Sequence, residues 1–160
     1  PPGEIDFTNM GNTGKNYSTI YELTPPLDKN GKYVIEKDKP FGPEKPAWVY
    51  MAADTLSFFS SFISGAQRLE NGNTFINEGA KGRFFEVTKE GKIVWEYLNP
   101  YHGEIRQPNG DPNPVMPMTY FAFRANFIPA NHPGLANKKL EPLTPQPIPF
   151  ILPLAAGDKK

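Results

Sequence analysis

The 160 residues carry 17 basic and 17 acidic side chains and no cysteine. This excludes a disulfide framework and a thiolate metal site, and it argues against nucleic acid or an acidic membrane surface as partner. Nineteen prolines and 14 glycines would suit a disordered chain, but 12 Phe, 7 Tyr and 2 Trp would not, because disordered sequences are poor in aromatics.

With no helical periodicity and no apolar run of transmembrane length, the composition predicts an all-β chain with long ordered loops. Residues 4–7 read as part of a strand, followed by an Asn/Gly loop over 9–14. Residues 18–23 alternate and are β-branched, so they form the next strand; Pro25-Pro26 ends it. Prolines at 25, 26, 40, 43 and 46, with a turn at Asn30-Gly31, make 25–46 a long connection to a strand at 47–50.

Residues 64–99 hold four strand signals, at 64–69, 74–77, 83–88 and 93–97, rich in β-branched and aromatic residues. They are broken at Asn71-Gly72, at 79–82 and at Glu90-Gly91, where glycine permits the positive φ of a tight hairpin. Four such strands make one antiparallel meander of propeller-blade size. Prolines at 100, 108, 112, 114 and 117 exclude a central strand there. Residues 118–127 read as one more strand, and 128–160 as an extended tail on the surface of a larger body.

The chain repeats itself. Ile20-Tyr21-Glu22-Leu23-Thr24, Gly31-Lys32 and Trp48-Val49-Tyr50 match Phe84-Phe85-Glu86-Val87-Thr88, Gly91-Lys92 and Trp95-Glu96-Tyr97. The glutamates are 64 residues apart and the tryptophans 47, so the first copy carries a 17-residue insertion. An incomplete first blade at 1–52, a complete blade at 64–99 and a spare strand at 118–127 cannot close a propeller, which needs four or more blades. Two blades alone would leave open edges. The expected partner is therefore the rest of the propeller, from the same precursor or a companion chain, and a start at Pro1 suggests a processed product.

Two blocks resemble the C-terminal part of arylsulfotransferase-like β-propeller proteins. The first is Ser64-Gly65-Ala66-Gln67-Arg68-Leu69, Asn71-Gly72-Asn73-Thr74, Glu78-Gly79, Gly82-Arg83, Phe85-Glu86-Val87-Thr88 and Ile93-Val94-Trp95-Glu96-Tyr97. The second is Phe123-Arg124-Ala125, Pro129 and His132-Pro133-Gly134-Leu135. The resemblance implies a six-bladed bacterial protein, periplasmic or secreted, that moves a sulfuryl group between small aromatic molecules through a sulfated histidine and needs no cofactor. No histidine of this chain matches the nucleophile motif, so no catalytic residue is assigned and the nucleophile is expected in the missing part. A lyase or hydrolase acting on a small anionic substrate, and a non-catalytic binding propeller, are the alternatives.

The substrate-binding candidates are Arg124, Gln67, Arg68 and His132. Arg124 lies in the apolar run 120–123, where a buried guanidinium requires an anion or an acidic partner. Gln67 and Arg68 sit on the innermost strand, on opposite faces by alternation. His132 lies in a turn and His102 on a loop; two histidines and no cysteine argue against a metal site. Asn77 and Glu78 end the second strand, as turn caps or at the funnel mouth. Trp48 and Trp95 are predicted to pack between blades.

Overall fold

The computed structural model describes residues 16–112 and 118–145. The expected strand at 4–7 and the end of the tail lie outside them.

Eight strands form three antiparallel sheets, with no α-helix among the described residues. Strands β1 (Thr19–Glu22) and β2 (Trp48–Met51) pair across the Pro-rich connection. Strands β3 (Gly65–Arg68), β4 (Thr74–Glu78), β5 (Arg83–Val87) and β6 (Ile93–Leu98) follow one another in a four-stranded meander. Two short strands, β7 (Gly103–Glu104) and β8 (Met118–Thr119), close a third hairpin.

The turns are those the glycines require. Gly72 and Gly91 both sit at φ 85°, and the flanking residues close each hairpin with backbone bonds from Leu69 N–H to Asn73 and from Thr88 N–H to Lys92. Gly31 and Gly110 form the same kind of turn at φ 75° and 90°.

The repeat seen in the sequence is a repeat of register. Across β1–β2, Ile20 faces Tyr50 and Glu22 faces Trp48. Across β5–β6, Phe84 faces Tyr97 and Glu86 faces Trp95. Ile20, Glu22, Trp48 and Tyr50 therefore hold the same register places as Phe84, Glu86, Trp95 and Tyr97.

The core lies between the two copies. Phe85, Val87 and Ile76 project from one face of the meander and are 0–1% exposed. They meet Tyr50, Phe58 and Ala52, with Ile20 and Trp48 packed at the margin. Phe58 stands edge-on to Phe85 at 5.4 Å, and Tyr50 contacts both rings. Each large ring removed from water contributes about 2–3 kcal/mol, so this seam fixes the orientation of β1–β2 on the meander.

One expected strand is mostly something else. Of 118–127 only Met118–Thr119 is strand. The rest is an irregular strap laid against the connection between β4 and β5: Ala122 N–H donates to the Gly79 carbonyl at 3.0 Å, and the Asn77 amide donates to the Ala122 carbonyl at 2.9 Å. Its apolar residues dock by single backbone bonds rather than by a ladder. Residues 128–145 are largely exposed and include a 3-10 turn at Pro133–Leu135.

Candidate functional site

The most buried charge lies where β4 passes into β5. Gly79, Ala80 and Lys81 form a 3-10 turn closed by Gly82 in the left-handed region. This short path sets Glu78 opposite Arg83 in register. The fully buried Glu78 carboxylate accepts from Arg83 at 3.0 Å, Lys81 at 2.6 Å and the Phe59 backbone N–H at 2.9 Å. Arg83 also pairs with Glu96 and donates to the Ser57 carbonyl. Burial alone would lower the Arg83 pKa, but Glu78 and Glu96 outweigh it and hold the guanidinium more basic than usual. Every charge here has a partner, so the cluster is built to hold the turn and offers no free group to a ligand.

A cleft of about 260 Å³ opens between the start of β1 and strands β3 and β4, lined among others by Ser18, Ser60, Ser64, Ala66 and Asn77. Two of its hydroxyls are already engaged: Ser18 Oγ accepts from Ser60 N–H, and Ser60 Oγ accepts from Ala80 N–H while facing the Phe62 and Ile63 carbonyls. The lining contains no titratable side chain. Such a cleft can take an uncharged or extended group, but it has neither an acid–base residue nor a cation for a sulfate.

The four candidate residues occupy separate environments, and no hydrogen bond or ion pair joins any two of them among the described residues. Gln67 and Arg68 do lie on opposite faces of β3. Gln67 clamps the strap at Phe127, donating to its carbonyl at 3.3 Å and accepting from its N–H at 2.9 Å. Arg68 pairs with Glu22, lies 4.4 Å from the centre of the Trp48 ring and donates to the Gly72 carbonyl at 2.7 Å. That contact holds the Glu22 carboxyl below its ordinary pKa. His132 is exposed and caps the 3-10 turn Pro133–Leu135, its Nδ1 accepting from Gly134 N–H at 3.0 Å. His102 is exposed, with its ring edge-on to Tyr120 at 5.4 Å.

Arg124 differs from its expected setting. The run 120–123 is irregular rather than a buried strand, so Arg124 stands exposed, without an ion-pair partner among the described residues. Glu78, expected as a turn cap or at a funnel mouth, is a buried ion-pair centre instead. The crowding of Glu78, Lys81 and Arg83 within six residues is the signal for it.

The two tryptophans diverge. Trp48 lies between the hairpin and the meander, donating Nε1–H to the Lys89 carbonyl at 2.7 Å. Trp95 remains 46% exposed. Among the described residues no group of His, Asp or Glu is arranged to hold a metal ion, and no helix is long and apolar enough to cross a membrane. Compared with known proteins, the chain matches no family model, no curated protein and no solved structure.

Proposed function

We propose that this chain supplies two adjoining blades of a β-propeller whose other blades come from polypeptide outside these residues. The observation that carries the reading is the repeated register of β1–β2 and β5–β6, with the first hairpin packed on the face of the second unit. In a propeller each blade covers the next in that way, and β3 would be the innermost strand.

The chemistry proposed for the assembly is sulfuryl transfer between small aromatic molecules in an exported bacterial protein, and it rests on the resemblance of the blocks at 64–97 and 123–135. The nucleophile then belongs to the other blades. Within this chain, Arg124, exposed and without an ion-pair partner among the described residues, is the cation assigned to a sulfate. Gln67 and Arg68 contribute by holding the strap and the blade seam.

A non-catalytic scaffold is the second reading. The engagement of Gln67, Arg68 and His132 in internal bonds favours it. The test is nitrophenolate release from 4-nitrophenyl sulfate by the full natural-length product, with phenol as acceptor. Phenol-dependent release that falls in Arg124→Ala supports sulfuryl transfer. No release from an assembled ring supports the scaffold.

A further inference from the structure

We infer that the face of β5–β6 bearing Trp95 is the docking surface for one further β-sheet, from outside these 160 residues, that presents an arginine to Trp95 and Glu86. This rests on the propeller reading above and specifies the neighbour which that reading requires. The template for it is inside the molecule. On β1–β2, Ile20, Glu22, Trp48 and Tyr50 share one face by register. The meander covers that face: Ile20 and Tyr50 meet Ile76, Phe85 and Val87. Arg68 caps it, 4.4 Å from the Trp48 ring centre and paired with Glu22, and the Trp48 indole N–H finds the Lys89 carbonyl.

At the same register positions β5–β6 carries Phe84, Glu86, Trp95 and Tyr97. Trp95 and Tyr97 stack at 6.1 Å with 7° between their planes, as Trp48 and Tyr50 do at 6.1 Å and 12°. Phe84 continues the stack under Tyr97 at 6.0 Å. Yet Trp95 is 46% and Tyr97 39% exposed. Among the described residues Glu86 has no cationic partner, and the Trp95 ring has no cation over it. The second copy thus has the aromatic ladder and carboxylate of the covered face, with Phe127 of the strap laid on the neighbouring Phe75 but no sheet over Trp95 and Glu86 among the described residues.

Charge complementarity selects the occupant. A guanidinium between Trp95 and Glu86 satisfies the ring face and the carboxylate together, as Arg68 does in the first copy. A second copy of this chain cannot supply it in the repeated geometry. Its own meander face is already covered by its own β1–β2. The third hairpin holds Arg106 in a turn like that of Arg68, each Nη1 donating to the turn glycine carbonyl at 2.7 Å, but Arg106 is paired with Glu104.

The test places p-benzoylphenylalanine at position 97 of the full natural-length product and cross-links it in the producing cell. The cross-linked peptides are then sequenced by mass spectrometry. We expect them to lie outside residues 1–160 and to carry an arginine beside a turn. Glu86→Gln keeps the amide contacts to Asn71 and Asn73 but removes the charge, and should lower the yield about tenfold; Glu90→Gln on the neighbouring turn should not.

Cross-links confined to this chain, from a second copy or from 103–112, overturn the inference, as does no cross-link at all. A cross-link to an outside sheet that ignores Glu86 removes the arginine and leaves the propeller standing. Failure of the sulfuryl-transfer assay touches neither.

Discussion

Glu78 and Arg83 face each other in register across β4–β5 and pair at 3.0 Å, with the carboxylate fully buried. Removing its charge by Glu78→Gln leaves Arg83 and Lys81 undercompensated in a low-dielectric site. We expect a loss of about 3–5 kcal/mol in urea unfolding. Glu78→Gln combined with Arg83→Met should cost less than the sum of the single changes, because both belong to one network. Additive losses would show that the pair is not coupled.

The two tryptophans should respond differently in the isolated chain. Trp48→Phe removes the hydrogen bond to the Lys89 carbonyl and weakens the Arg68 contact, a loss of about 1–2 kcal/mol. Trp95→Phe alters a half-exposed ring and should change stability by less than about 0.5 kcal/mol. Chemical denaturation of the two variants decides the point, and equal losses would deny that one face is covered and the other bare.

Acid should loosen the seam between β1–β2 and the meander. Arg68 holds the Glu22 carboxyl below the ordinary value of 4.5. The stabilisation is therefore complete above that value and is lost as pH falls through the lowered pKa of the folded state. Glu22→Gln should remove this part of the acid dependence while leaving the remainder. An unchanged acid profile in the variant would place the titration elsewhere.

Gly82 and Gly72 separate backbone conformation from close approach. Both have positive φ, but a Cβ on Gly82 would lie 2.1 Å from the Tyr120 carbonyl oxygen, whereas one on Gly72 meets open space. Gly72→Ala should cost about 1 kcal/mol. Gly82→Ala should cost about 2–3 kcal/mol and raise hydrogen exchange at Ala122 N–H, because the strap must move. Equal losses without a change at Ala122 would mean that the strap is not anchored there.

The meander hairpins were legible because local chemistry sets them: Asn71-Gly72 and Glu90-Gly91 dictate the turns. The matched Glu22/Glu86 and Trp48/Trp95 marked a repeat, and the structure shows which residues pair across it. The strap was not legible. Its aromatic sequence has β-propensity, but it docks through Gly79 and Gly82, where missing side chains admit its carbonyls; that contact is about 40 residues distant in sequence. The settings of Gln67 and Arg68 also depended on long-range partners, Phe127 and Glu22, which alternation alone could not name.

Electron cryomicroscopy of the assembly isolated under native conditions through a tag on this chain tests the central claim most directly. The account predicts a closed ring of four-stranded sheets with β3 lining the channel, β6 at the rim and the Trp95 face covered by the next sheet. A lone 17.9 kDa species with Trp95 open to solvent, or sheets packed without a central axis, would contradict it.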